Sequence, residues 1–93
     1  MNIKIQIGAR LREEREKVGL SQTELGMIGG VGRNTQASYE KGQQHPTTAY
    51  LLLVREKGVD IAYILTGRRT TDDLTPDEAQ VFDIYRSLPD GKK

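Results

Sequence analysis

A run of polar side chains between residues 33 and 38 has the composition of a surface that reads the edges of base pairs. Arg can donate two hydrogen bonds to guanine, and Asn or Gln can bond adenine in a bidentate way. Ser offers a hydroxyl group, while Thr offers a hydroxyl and a methyl group. If this run is helical, the residues predicted to read bases are Arg33, Asn34, Thr35, Gln36 and Ser38.

The surrounding residues 21–42 predict a short helix, a glycine-rich turn and a second short helix. Ser21 is a good N-cap, and Glu24 three residues later completes a capping box. Gly30 can adopt the left-handed backbone conformation that a sharp turn needs. The second helix is expected over residues 33–41. Such a pair can place one helix in the DNA major groove while the other braces it.

Contacts to the DNA backbone are expected from outside the base-reading run. Gln22 lies in the first turn of the bracing helix, where exposed amide groups add a partial positive charge that favours phosphate. Further candidates for phosphate binding are Arg10, Lys41 and Gln43, with Gln44 as an alternative to Gln43.

Apolar periodicity predicts a first helix over residues 5–18, with Ile7, Leu11 and Val18 on its inner face. Ile3, Ile5 and Ile7 also alternate with polar residues, as in a strand. A single short strand without a partner is unstable, so helix is favoured.

Two further helices are predicted on the carboxyl side of the DNA-reading pair. Thr47 caps the first, and Asp60 caps the second, which covers residues 61–66. Val59 and Ile64 flank the Asp60 cap with the spacing of a hydrophobic staple. The first of these helices is expected to contribute a core stripe of Tyr50, Leu51, Leu53 and Val54.

A polar linker over residues 68–74 is predicted to separate a domain of residues 1–67 from a C-terminal helix in residues 75–93. The apolar stripe of that helix either packs on the preceding helices or pairs with a second chain. An apolar stripe beyond a complete domain favours a homodimer contact, because exposed apolar patches usually mark partners. The residues of this stripe are Val81, Phe82, Tyr85 and Leu88.

Composition excludes several classes of protein. The 93 residues contain no Cys, so disulfides, thiolate nucleophiles and Cys-ligated zinc are excluded. The single His, in a loop, predicts neither a metal site nor catalysis, and we expect no cofactor and no enzymatic activity. No apolar run approaches the roughly 20 residues that cross a bilayer. The N-terminus lacks the features of a secretory signal, so a cytoplasmic protein is expected.

Charge is unevenly distributed along the chain. Residues 1–69 carry 11 Lys and Arg against 7 Asp and Glu, whereas residues 70–93 carry 3 against 6. A basic body with an acidic end favours contact between the body and nucleic acid. An ordinary solvated surface could have the same balance, so the argument for DNA depends on the motifs.

Four motifs within residues 7–67 are specific as a set: LREEREKVGLSQTEL, GVGRNT, SYEKGQQHP and GVDIAYILTG. Together they resemble the Cro/Xre-type helix-turn-helix family of phage repressors and related bacterial regulators. The resemblance implies an all-α, five-helix, lambda-repressor-like fold that binds operator DNA as a two-fold dimer. It also implies phosphate contact by Gln22 and base contact by Arg33, Asn34 and Ser38.

The chain departs from the family pattern at several positions. Glycine stands at 26, 29 and 32, where the family has Ala, an apolar residue, and Ser or Thr. Gln36 replaces Ile or a similar residue, and a buried unpaired amide would cost about 1–3 kcal/mol. Either Gln36 finds an internal partner, or the helix is rotated and Gln36 joins the face that meets the bases. These changes predict a loose domain, in which Gly26 alone costs about 1 kcal/mol.

We therefore expect a sequence-specific transcriptional regulator of the phage-repressor type, with helix 33–41 in the major groove of double-stranded DNA. The expected location is the nucleoid of a bacterial or phage-infected cell, without membrane contact. The alternative is an antitoxin that binds a toxin protein and its own promoter. A module of the same fold that binds only proteins is a third hypothesis.

Overall fold

The computed structural model describes residues 2–69, which form five α-helices and one 3₁₀ turn. The predicted all-α, five-helix fold is confirmed, and Ile3 and Ile5 are helical. The additional C-terminal helix predicted in residues 75–93 lies outside the described residues. No helix of residues 2–69 has the length and apolar character needed to cross a membrane. The elements are α1 (Ile3–Lys17), α2 (Gln22–Ile28), α3 (Arg33–Glu40), α4 (Thr48–Val54), the 3₁₀ turn (Arg55–Lys57) and α5 (Ile61–Thr66).

Side-chain caps begin α2, α4 and α5 where the sequence predicts them. The Ser21 hydroxyl accepts from the Glu24 amide at 3.1 Å, and the Glu24 carboxylate accepts from the Ser21 amide at 2.8 Å, which completes the capping box. Thr47 and Asp60 cap α4 and α5. Asn2 accepts from the Ile5 amide, so α1 begins two residues earlier than expected.

The core is a small cluster to which every α-helix contributes. Val59 and Ile64 are buried as the staple predicts. The sequence predicts Leu53 in the core stripe, but that prediction is wrong, because 47% of its surface is exposed. The buried apolar side chains are Ile7, Leu11, Leu25, Tyr39, Tyr50, Leu51, Val54, Val59 and Ile64.

Two glycines allow helices to approach at distances that no larger residue permits. A Cβ atom on Gly8 of α1 would lie 2.4 Å from the Tyr39 carbonyl oxygen of α3. A Cβ atom on Gly29 would lie 2.2 Å from the Tyr50 ring. The glycine at position 29 therefore makes room for an aromatic side chain. This local packing is tight, which contrasts with the loose domain expected from the departures from the family pattern.

A buried carboxylate connects the first three helices. The side chain of Glu40, at the end of α3, is 3% exposed. Arg15 of α1 donates to its Oε2 at 2.7 Å from Nε and to its Oε1 at 3.1 Å from Nη2. Gln22 of α2 donates to Oε1 at 3.2 Å, and Gln36 donates to Oε2 at 2.7 Å. A buried charge is tolerated when it is paired and hydrogen-bonded, and both conditions hold here.

Gln36 lies inside this network, so the prediction that it reads bases is wrong. The side chain has no exposed surface, and its Oε1 accepts from the Tyr50 hydroxyl at 2.5 Å. Both ends of the amide thus have partners, and residues 2–69 contain no buried side-chain polar atom without one. Of the two alternatives left open by the sequence, the internal partner is the one observed. We call Arg15, Gln22, Gln36, Glu40 and Tyr50 the Glu40 network.

A second buried carboxylate holds the end of the described chain. Glu14 is 1% exposed and accepts from the Asp60 backbone amide at 3.0 Å and from Arg69 at 2.7 Å. The Arg69 guanidinium also lies 3.8 Å from the centroid of the Tyr63 ring. Arg69, placed in the linker by the sequence, is therefore bound to α1 and α5. The rest of the predicted linker from residue 70 onward lies outside the described residues.

The contact between Gly29 and Tyr50 predicts that position 29 cannot accept a side chain without a loss of stability. Gly29→Ala should lower the free energy of unfolding by about 1–3 kcal/mol, because the ring is held by its hydroxyl bond to Gln36 and cannot swing away cheaply. Chemical denaturation measures this change.

Gly32→Ser provides the matched control for Gly29→Ala. A Cβ atom at Gly32 would meet nothing within 4 Å, and its φ of −82° suits any residue. The new hydroxyl can also cap α3, so stability should change by less than about 1 kcal/mol. Equal unfolding midpoints for Gly29→Ala and the parent would contradict the packing account.

The Glu40 network also predicts how stability depends on pH. Burial raises the pKa of Glu40, but hydrogen bonds from Arg15, Gln36 and Gln22 outweigh it and hold the pKa below its ordinary 4.5. A depressed pKa stabilises the fold above the unfolded-state value, and that stability is lost as pH falls through the folded-state value. Stability should therefore fall below about pH 4.5, and less steeply in Glu40→Gln than in the parent.

Denaturation at a series of pH values between about 3 and 7 tests this expectation. Glu16→Gln is the control, because Glu16 pairs with Arg12 on the exposed surface. This variant should keep the pH dependence of the parent. Identical slopes for Glu40→Gln and the parent would show that Glu40 does not contribute to it.

Candidate nucleic-acid interface

The turn between α2 and α3 sets the geometry of the candidate interface. Gly30 adopts a φ of +81°, the left-handed conformation predicted for it. The Val31 amide donates to the Gly26 carbonyl at 2.8 Å. A Cβ atom on Gly26 would lie 3.0 Å from the Val31 carbonyl oxygen, so this glycine lets the turn pass close to α2. The position of α3 is thus fixed by backbone contacts with α2 as well as by the Glu40 network.

One face of α3 points away from the core and carries polar side chains. Asn34, Ser38 and Lys41 are spaced four and three residues apart, which places them on the same side of a helix. Asn34 and Lys41 are exposed, and Ser38 is half-buried. The opposite side carries Gln36 and Glu40, both buried. Two of the predicted base-reading residues therefore lie together on the outward face.

Arg33 and Thr35 flank this face at the start of α3. Arg33 is exposed at the first helical position, and Thr35 is half-buried. Among residues 2–69, Arg33 makes no hydrogen bond or ion pair, so its five N–H donors have no partner within the described part of the chain. Gly32 offers no side-chain cap, and the first amides of α3 are left for another acceptor.

A shallow depression of about 420 Å³ lies between α1, the start of α2 and Arg33. Three guanidinium groups surround it. Arg15 is neutralised by Glu40, and Arg12 pairs with Glu16 at 3.1 Å. Arg33 adds a positive charge that no described residue balances. We call this site the basic depression, and its lining residues are Arg12, Arg15, Ser21, Gln22, Thr23 and Arg33.

The basic depression suits an anion such as a DNA phosphate. The Gln22 amide has two N–H donors and gives one to Glu40, which leaves one for another acceptor. Arg12 and Thr23 were not among the residues predicted from the sequence. The spacing of Arg12 and Arg15, three residues apart on α1, could have indicated that they share a face. No group of three or more metal-binding side chains occurs in the described part of the chain.

Arg10 does not line the basic depression. Its Nε donates to the Ile64 carbonyl at 2.9 Å, at the C-terminal end of α5. Five residues separate Arg10 from Arg15, so their side chains leave α1 about 140° apart. This geometry directs Arg10 towards α5, whereas Arg15 faces α3. We therefore assign Arg10 to the packing of α5, and the prediction that it binds phosphate gains no support from its position.

The remaining predicted residues divide into two groups. Gln43 and Gln44 are exposed in the loop after α3, beside the exposed Lys41, and stay predicted phosphate ligands. The proposed dimerisation residues lie outside the described residues, and they are Val81, Phe82, Tyr85 and Leu88.

Comparison with known proteins agrees with the geometry. The model of a family described as a helix-turn-helix domain matches residues 6–76, more than half of the chain. No curated protein and no solved structure matches the chain. The family match is consistent with the resemblance to Cro/Xre-type regulators and with an all-helical fold. The chain therefore belongs to the helix-turn-helix domain family, and this domain indicates a DNA-binding regulator.

Proposed function

We propose that this protein is a sequence-specific transcriptional regulator that inserts α3 into the major groove of double-stranded DNA. The observation that carries the proposal is the outward face of α3. Asn34 and Ser38 lie there on the side opposite to the buried Gln36 and Glu40. Polar side chains on a rigid, outward-facing helix beside a basic surface are what major-groove recognition requires.

The proposed binding uses two kinds of contact, to base edges and to the DNA backbone. Arg33, Asn34 and Ser38 read base edges, with Thr35 at the flank of the helix. Gln22, with Arg12 and Thr23 beside it in the basic depression, binds one DNA strand through its phosphates. Lys41 and Gln43 bind the backbone at the other end of α3. Backbone contacts supply affinity without sequence information, while base contacts supply specificity.

The finer assignment is a phage-type repressor that binds a two-fold operator as a homodimer. Support comes from the resemblance of the motifs to phage repressors and from the apolar stripe of Val81, Phe82, Tyr85 and Leu88. A two-fold protein reads two half-sites one helical turn or a multiple of it apart. Whether bound protein represses or activates depends on where its site lies relative to a promoter.

Selection of bound sites from random DNA tests the proposal directly. A single recurring site with two-fold symmetry is expected. Recovery of no enriched sequence would contradict sequence-specific binding, and an enriched site without two-fold symmetry would contradict the homodimer.

Substitution of α3 residues then separates base contacts from backbone contacts. Asn34→Ala should cost about 1–3 kcal/mol and relax preference at one base position. Lys41→Ala should weaken binding to all sequences similarly and reduce the dependence of log K on log salt by about 1. Mobility shifts or fluorescence titration at several salt concentrations measure both effects.

Lys57→Ala is the control for Lys41→Ala. It removes the same charge from the 3₁₀ turn after α4 and should leave the salt dependence nearly unchanged. Equal effects of Lys41→Ala and Lys57→Ala would show that only net charge matters. Unchanged affinity and preference in an Arg33→Ala, Asn34→Ala double variant would exclude α3 as the element that reads bases.

A further inference from the structure

We propose that Tyr50 and Gln36 are positioning residues for the DNA backbone contact, because through Glu40 they orient the side-chain amide of Gln22. The inference rests on the proposed function, in which Gln22 donates to a phosphate. Tyr50 and Gln36 are 1% and 0% exposed, so neither can touch DNA. Any effect they have on binding must be transmitted through the protein.

The hydrogen bonds that link Tyr50 to Gln22 converge on Glu40, which accepts from both Gln36 and Gln22. The Tyr50 hydroxyl donates to Gln36 Oε1 at 2.5 Å, which turns the carbonyl end of the amide towards α4. The NH₂ end then points at Glu40 and donates to its Oε2 at 2.7 Å. The reverse orientation of the amide would bring its oxygen against a carboxylate oxygen, with no proton between them. Tyr50 and Glu40 together therefore determine the orientation of Gln36.

Glu40 transmits this orientation because its acceptor sites are filled. Oε2 accepts from Gln36 and from Arg15 Nε, while Oε1 accepts from Arg15 Nη2 and from Gln22. Each carboxylate oxygen has two lone pairs, so all four are used. Rotation of the carboxylate would break bonds to two helices. The Gln22 amide therefore donates one N–H to an acceptor of fixed position. Its second N–H donor consequently points out of the network.

The expected functional consequence is a change in affinity that does not depend on sequence. Gln22 lies on α2 and, in this proposal, contacts phosphate only. Disrupting the hydrogen bonds that link Tyr50 to Gln22 should therefore weaken binding to a specific and to an unrelated duplex by the same factor. A residue that orients a base-reading side chain would instead change the preference between the two duplexes.

Tyr50→Phe tests the inference with the smallest available change, because it removes only the hydroxyl. Binding to both duplexes should weaken about three- to tenfold, as expected for the loss of one hydrogen bond. In a Gln22→Ala background the same substitution should have no further effect, because the residue that it positions is gone. An equal loss in both backgrounds would overturn the proposal, and so would unchanged affinity.

Tyr63→Phe is the matched control. Its hydroxyl donates to Glu13 at 2.5 Å between α5 and α1 and has no bond to the Glu40 network. This variant also loses one tyrosine hydroxyl bond, an exposed one to a carboxylate, and should bind both duplexes as tightly as the parent. A loss of affinity equal to that of Tyr50→Phe would mean that general destabilisation explains both variants.

A second measurement needs no DNA and separates failure of the inference from failure of the proposed function. In the free protein, Tyr50→Phe should shift the side-chain amide NMR signals of Gln22, whereas Tyr63→Phe should not. If Tyr50→Phe does not fold, Gln36→Met removes the amide and tests the same link. Unmoved Gln22 signals would overturn the positioning role even if DNA binds. A parent protein that binds no DNA would overturn the proposed function, while shifted signals would still establish the link between Tyr50 and Gln22.

Discussion

The carboxylate of Glu40 is the constraint on which the arrangement of this domain depends. A buried charge left without partners destabilises a protein by several kcal/mol, so Glu40 must be surrounded by donors whenever the domain is folded. Those donors come from α1, α2 and α3, and Tyr50 extends the network to α4. The helices are thereby required to assemble in one relative orientation. In such a small core, this polar requirement adds specificity that apolar contacts alone do not supply.

The same requirement explains the glycine at position 29 and the polar side chains on the outward face of α3. Tyr50 can reach Gln36 because Gly29 leaves space for the ring, so Gly29, Gln36 and Tyr50 form one structural unit. Burial of Gln36 and Glu40 on one side of α3 leaves Asn34 and Ser38 on the other side. A helix whose position is fixed by its buried side chains can present its outer face to a ligand without moving. Preorganisation of this kind lowers the cost of binding.

Features that depend on neighbours along the chain could be predicted from the sequence, and features that depend on tertiary partners could not. The caps at Ser21, Thr47 and Asp60 require only residues three positions away, and all were predicted correctly. Gln36 was misassigned because its partner Tyr50 lies 14 residues further on, where periodicity shows only an apolar face. Arg10 binds a carbonyl 54 residues away, which no local pattern reveals. Among the candidate site residues, the outward position of Asn34 followed from helical spacing. The contribution of Arg12 and Thr23 to the basic depression depends on the packing of α1 and α2 against α3.

A backbone-amide NMR titration with a duplex recovered by selection tests the central claim, which is that α3 and the basic depression form one DNA-binding surface. The account predicts that chemical-shift changes concentrate in two places. These are the outward face of α3, at Asn34, Ser38 and Lys41, and the basic depression, at Arg12, Gln22 and Thr23. Residues of α5 should remain nearly unmoved. Changes confined to α4 and α5, with α3 unaffected, would contradict the account.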